Sequence, residues 1–274
     1  MSDTGDGSLL IIGGAEDKQG DRTILRRFVE AAGGDRAEII VMAIATELPE
    51  EVGEEYIKVF TDLGVGGVGG VSALDPSRRE ADQKEIGEQI DRATGVFFTG
   101  GDQRRIVEVL KGTAAGKALH ERYAEGLVIG GTSAGASMMS DLMIISGDAE
   151  THPQRGIVKL GEGMGFLPNS VVDQHFAQRG RIGRLLYAVA LHRSHLGFGI
   201  DENTAILVQG DELEVLGEGA VTVIDASSLE FTNVDDLKDD ANLALSGVRL
   251  HMLPAGYRFT ITTRTATTAG ASAS

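Results

Sequence analysis

The sequence contains no cysteine. That excludes a disulfide framework, a zinc–thiolate centre and a cysteine nucleophile in one step. Proline is scarce, with five residues in 274, whereas glycine reaches 38, about twice its usual share. Glycine in excess without proline points to tight turns between regular elements rather than to a disordered linker. No apolar stretch is long enough to span a membrane. The start, MSDTGDGSLLIIGG, has no basic n-region and only a short apolar run, so no secretory signal is expected. The phosphate-loop pattern G-x-x-x-x-G-K-[ST] is missing, and nucleotide binding is not expected. Six histidines are scattered without an H-E-x-x-H pair, so neither a metal nor a cofactor is expected. Cations of one kind are also short: the formal charge of −16 repels phosphates and argues against a nucleic-acid partner. An acidic surface of this kind suits solubility in the cytoplasm, the expected location.

What is present is an alternation of apolar runs and helical periods. Leu9–Ile12, closed by Gly13-Gly14, reads as a buried strand. Ile24, Leu25, Phe28 and Val29 then recur at helical spacing after a cap expected at Asp21. Residues 38–45 (EIIVMAIA) read as a second strand, with Val52, Tyr56, Val59, Phe60 and Leu63 as the next helix face. A third strand is expected over 68–74 and a polar helix over 80–92. Residues 95–105 (GVFFTGGDQRR) and 127–130 each run strand, then glycine turn, then helix. This order predicts an α/β fold, a doubly wound and mostly parallel sheet with helices on both faces. Both glycine turns then lie at the carboxyl ends of strands, where such sheets bind ligands. After Gly199 the pattern becomes a β-meander, with one more hairpin over 246–262 and a small polar tail expected to fray. We expect a single domain, its core at about 8–226 and a β-rich extension at about 227–274.

Gly131-Thr132-Ser133-Ala134-Gly135 fits G-x-S-x-G, in which flanking glycines permit the sharp turn that exposes a nucleophile. A strand precedes it, and ASMMSDL reads as a helix start after it. The Ala134 N–H then stands beside Ser133 as an oxyanion donor. A serine nucleophile needs a base. His120 and His192 lie in helical patterns, His251 in the extension, His195 just before a strand and His152 in a loop. His175 stands at a strand end in VVDQHFAQRGRIGR, flanked by Asp173 and Gln174 and followed by Arg179, Arg181 and Arg184. The carboxylate that orients it is Glu202, Asp201 or Glu150, with Glu202 preferred because it closes the strand 196–200. A Ser, His, Glu order differs from that of the α/β-hydrolases. In the second glycine turn, Gly101 offers an N–H to a reacting carbonyl and Gln103 an amide to a substrate.

Together the stretches LLIIGGAEDK, FFTGGDQ, GGTSAGASMM, GDAETHP, GMGFLPNSVVDQHFAQRGRIGRL and GIDENTAILV resemble the cyanophycinases. They run from residue 9 to about 208. These serine peptidases are grouped with the aspartyl dipeptidases on a class I glutamine-amidotransferase-like fold. The resemblance implies hydrolysis of cyanophycin, a polyaspartate with arginine on each β-carboxylate, to β-aspartyl-arginine dipeptides through an acyl-enzyme. It implies Ser133 as nucleophile, His175 as base and Glu202 as acid, with the Gly101 and Ala134 N–H groups holding the oxyanion. Gln103, Asp173, Gln174, Arg179, Arg181 and Arg184 match the family's substrate positions. There the arginines pair with the free α-carboxylate and Asp173 accepts from a guanidinium. The resemblance also implies a homodimer. The other readings are a peptidase acting on short aspartyl or β-aspartyl peptides, and a catalytically silent binding domain.

Overall fold

The computed structural model describes residues 7–71, 79–147, 152–238 and 241–268, with the backbone alone at 79–82. The first half alternates strands and helices: β1 (Ser8–Ile12), α1 (Thr23–Ala31), β2 (Glu38–Met42), α2 (Pro49–Asp62), β3 (Gly67–Val71), α3 (Arg79–Arg92), β4 (Gly95–Phe98), α4 (Gln103–Leu110), α5 (Ala114–Ala124) and β5 (Val128–Thr132). Strands β1, β5, β4, β2 and β3 pair in parallel in that spatial order. A parallel strand covered on both faces needs an unbroken apolar run, and the period of two divides each run between two cores. Leu10, Ile12, Ile39, Val41 and Phe97 pack with Ile24, Leu25 and Phe28 of α1 and Tyr56 and Phe60 of α2. Leu9, Ile11, Ile40, Met42, Val96 and Phe98 face the opposite side. The glycines at 64–70 include a G-x-G-x-x-G spacing, but they lead into β3 instead of leaving a strand for a helix. This is not the geometry that cradles a dinucleotide.

The second half comprises α6 (Ala134–Ser137), β6 (Ser140–Gly147), β7 (Val158–Glu162), β8 (Leu167–Gln174), α7 (Ile182–Leu191), β9 (Leu196–Ile200), β10 (Thr204–Gln209), β11 (Glu212–Gly217), β12 (Ala220–Asp225), β13 (Phe231–Thr232), β14 (Leu245–Ser246), β15 (Arg249–Pro254), β16 (Tyr257–Thr260) and β17 (Thr265–Thr268). The α/β class stands, but the strands divide between two large sheets and a two-stranded ribbon, β13-β14. The first has nine strands, in the order β17-β16-β11-β10-β1-β5-β4-β2-β3. The second has six, in the order β15-β12-β9-β8-β6-β7. In the second sheet β6, β8 and β9 are parallel. The sheets pack face to face, so that Ile206 and Val215 share a core with Phe198, Ile200, Val221 and Val223. Helix α7 covers the outer face of the second sheet with Leu185, Ala188 and Val189 against Val171 and Ile224.

Several local expectations are corrected. The predicted meander is divided: β10 and β11 pair in the first sheet, while β12 pairs with β9 in the second. Nor does residue range 246–262 close on itself. β15 pairs with β12 and β16 with β11, so two bent ribbons cross together from one sheet to the other. The expected fraying tail is instead in part a strand, β17, paired with β16. Helix α1 is preceded by Arg22 at φ 51° without a side-chain cap. Asp17, not Asp21, orders this turn, accepting the N–H groups of Gln19, Gly20 and Arg22. The helix expected after Ser133 is a single turn, because β6 begins at Ser140. No helix among the described residues is long and apolar enough to cross a membrane.

Candidate active site

The carboxyl ends of β1 and β5 in one sheet meet those of β8 and β9 in the other, and the candidate residues stand at that seam. Ser133 follows β5 directly and has φ 52° and ψ −106°, an unusual conformation for a residue with a side chain. Strain of this kind, about 1–3 kcal/mol, persists only where the surroundings over-determine it. Here the Ser133 N–H donates to Ile12 O at 3.0 Å. The flanking glycines are sterically required. A Cβ on Gly131 would lie 2.5 Å from Gly135 O, and one on Gly135 would lie 2.4 Å from Phe98 O.

His175 follows β8 directly with φ 47°, its N–H donating to Gly13 O at 2.8 Å. Its Nε2 lies 3.1 Å from Ser133 Oγ, and its Nδ1 lies 2.6 Å from Glu202 Oε1. The ring lies against Gly14, where a Cβ would come within 2.3 Å of His175 Cε1. Glu202 follows β9, and its N–H donates to Gln178 Oε1 at 3.1 Å. Asp201 is turned elsewhere, accepting from Ala177 N and Ala220 N. The third carboxylate considered, Glu150, lies outside the described residues.

The second glycine turn is adjacent. A Cβ on Gly100 would sit 3.6 Å from Ser133 Cβ, and Gly101 has φ 140° with its Cα against the Ala45 carbonyl. Ala134 is the first residue of α6, so its N–H has no acceptor within the helix. Asp102 caps α4 by accepting from Arg104 N. Its carboxyl is held below the usual range by the Arg104 side chain, which outweighs partial burial.

The expected substrate residues gather beside the relay, but several are engaged with one another. Gln103 was expected to donate its amide to a ligand. Instead its Nε2 donates to Ile144 O and Ile145 O, leaving the side-chain carbonyl as the group on offer. Asp173 was expected to accept a ligand's guanidinium and Arg184 to meet a carboxylate. Both are buried, and they form a two-pronged pair in which Arg184 Nε donates to Asp173 Oδ2 at 2.6 Å and its Nη2 to Oδ1 at 2.5 Å. Arg184 also donates to Gly147 O. Arg181 donates through Nη1 to Gln174 O and Gln174 Oε1, while its buried Nε has no partner. Burial lowers the Arg181 pKa to about 10, aided by Arg184 and Arg179 and opposed by Asp173. Arg181 therefore remains cationic at neutral pH. Arg179 is exposed. Among the described residues, no group of three or more histidines, aspartates or glutamates is placed to hold a metal.

A hydroxyl, an imidazole and a carboxylate hydrogen-bonded in series form the arrangement through which hydrolases draw a proton from serine. The chain belongs to Peptidase family S51, whose model matches residues 9–216. It is therefore a peptidase. It is 39% identical over 254 residues to a cyanophycinase of Geminocystis herdmanii, covering 92% of this chain and 93% of the relative. To a cyanophycinase of Nostoc it is 40% identical over 261 residues, 94% and 87% of the two chains. Among solved structures, a peptidase from an acI-B1 Actinobacterium shares the fold with a TM-score of 0.61 at 20% identity, over 93% of this chain and 97% of that one. A putative peptidase E from Listeria monocytogenes has a TM-score of 0.54 at 18% identity, over 77% and 98%.

Sequence reasoning missed Glu16, Gln178 and the clamping role of Asp201. Glu16 and Gln178 lie within quoted stretches, yet no spacing rule links either to the residues they touch.

Proposed function

We propose that the protein is a cyanophycinase, a serine-type exopeptidase that hydrolyses cyanophycin to β-aspartyl-arginine dipeptides. The observation that carries this reading is the Ser133–His175–Glu202 relay, at 3.1 and 2.6 Å, with Arg179, Arg181 and Arg184 following His175 in the chain. The 39–40% identity to cyanophycinases supports the substrate.

In the reaction, Ser133 Oγ attacks the scissile backbone carbonyl while its proton passes to His175 Nε2. Glu202 holds the Nδ1–H and stabilises the imidazolium that forms. The Gly101 and Ala134 N–H groups take the developing oxyanion, each donor contributing about 3 kcal/mol of barrier lowering. The tetrahedral intermediate collapses, the C–N bond breaks, and the leaving amine takes the proton from His175. Water then gives a proton to the same imidazole and attacks the Ser133 ester; the C–Oγ bond breaks, Oγ takes the proton back from His175, and the acid product leaves. The turn at Ser133 acts as a nucleophile elbow.

Substrate recognition falls to the groups that still have capacity. Arg179 and Arg181 attract the free α-carboxylates of the polymer, while Gln103 Oε1 accepts from its guanidinium and amide N–H groups and the Gln174 amide donates to its carbonyls. Asp173 and Arg184 act on the substrate through the shape and charge of the loop they brace. A cytoplasmic location, expected from the composition, and a homodimer, implied by the resemblance to cyanophycinases, belong to the same proposal. Sedimentation at several concentrations tests the latter.

The test of function is to incubate the purified protein with insoluble cyanophycin and, separately, with aspartyl dipeptides. Soluble β-aspartyl-arginine released from the polymer is the expected result. Cleavage of dipeptides with the polymer left intact would replace this reading with that of a short-peptide peptidase.

A further inference from the structure

Glu16 is 4% exposed, and the reaction above makes no use of its carboxylate. Its Oε2 accepts the Thr132 hydroxyl at 2.6 Å, and its Oε1 accepts the Tyr56 hydroxyl. A buried carboxylate is kept only where donors meet it. Here both donors are neutral hydroxyls, and among the described residues no lysine or arginine forms an ion pair with it. The nearby Lys18 pairs with Glu55 and lies over the Tyr56 ring.

Its place in the chain gives this carboxylate a use. The segment from Ile12 to Asp17 holds Ser133, His175 and the residue next to Glu202. Ile12 O accepts the Ser133 N–H, Gly13 O the His175 N–H, and Gly14 O the N–H of Asn203, next to Glu202. Asn203 Oδ1 in turn accepts the Asp17 N–H at 2.9 Å. Ser133, His175 and Asn203 all have positive φ, at 52°, 47° and 48°. Such conformations relax unless they are held. Glu16 is the side-chain anchor of this segment, fastened to the residue before Ser133 and, through Tyr56, to α2.

We propose that Glu16 is a positioning residue that clamps the Ile12–Asp17 segment to Thr132 and so keeps Ser133 aligned with His175. It touches neither substrate nor the reacting atoms, and the proposal rests on the reading of Ser133 as the nucleophile.

A small fluorophosphonate separates the two ideas. It reports an activated serine, because an Oγ–P bond forms as the P–F bond breaks, fluoride leaves, and the serine proton passes to the imidazole. The labelling rate at Ser133, mapped by mass spectrometry, is to be measured for wild type, Glu16→Gln, Thr132→Val and Tyr56→Phe, with melting temperature and peptidase kinetics alongside. Glu16→Gln and Thr132→Val are expected to lower labelling and kcat on the order of ten- to a hundredfold, with KM held within about twofold. Tyr56→Phe, remote from the nucleophile, is expected to lower the melting temperature more than the labelling rate. Should Glu16→Gln not fold, Thr132→Val, which keeps the side-chain shape, decides the question. Folded Glu16→Gln and Thr132→Val variants that label as fast as wild type would overturn the clamp. Failure of wild-type Ser133 to label would overturn the nucleophile assignment instead.

Discussion

Asp201 and Glu202 are neighbours in sequence with separate tasks. The Glu202 carboxylate lies 2.6 Å from His175 Nδ1, whereas Asp201 accepts from Ala177 N at 3.0 Å and Ala220 N at 3.1 Å. One orients the imidazole. The other ties the loop after β8 to the strand pair β9–β12.

This division predicts opposite phenotypes. Glu202→Gln should lower kcat by about 10³- to 10⁴-fold, as expected when a histidine loses the acceptor that fixes its tautomer, and leave the melting temperature nearly unchanged. Asp201→Asn should instead destabilise the fold by about 1 kcal/mol through a weakened backbone clamp. Steady-state kinetics with thermal unfolding of both variants checks the pair.

Gly14→Ala should act as a wedge against the base. The added methyl would come within 2.3 Å of His175 Cε1, at a residue whose φ is 102°. The ring must move away from Ser133, and a displacement of about 1 Å is worth on the order of a hundredfold in kcat. A histidine NMR signal shifted at that one ring, with the fold intact, would show the cause directly.

How far the sequence carried this site depends on the kind of relation involved. Ser133, His175 and Glu202 were legible because each closes an apolar run, and strand ends converge in α/β sheets whatever the details. The two-sheet division was not legible, because alternation marks a strand without naming its partner; β11 and β12 read alike and pair in different sheets. The arginines and Asp173 were visible as a charged cluster. Their pairing depends on which side chains the start of α7 directs back onto β8, and so Asp173 meets Arg184 rather than a ligand. Glu16 looked like part of a polar loop, because its partners lie 40 and 116 residues away.

The C-terminal strands are pinned by a buried pair. Arg264, in the turn before β17, donates to Asp225 of β12 and to Ser194 O, and Asp225 is fully buried. Arg264→Ala leaves that carboxylate with only the Ser227 N–H and the more distant Arg249 and should cost about 2 kcal/mol, measurable by urea unfolding. Asp225→Asn in the same chain should recover part of the loss.

Acid should loosen the loop that follows the Ile12–Asp17 segment before it unfolds the core. The N–H groups of Arg22, Gly20 and Gln19 lower the Asp17 pKa from 3.8 to about 2. A depressed carboxylate stabilises the native state fully above its unfolded pKa, and the contribution fades as pH falls through the folded value. Protection of the Gln19, Gly20 and Arg22 amides, taken relative to their intrinsic exchange at each pH, should therefore hold above pH 4 and fall towards pH 2. In Asp17→Asn, protection of these amides should be low throughout.

The release of β-aspartyl-arginine from cyanophycin by wild type and Ser133→Ala, prepared and assayed together, tests the central claim most directly. Loss of Oγ should lower kcat by about 10⁴-fold or more, with the protein still folded. Equal release by the two proteins would contradict the account, since the bond would then be broken without Ser133.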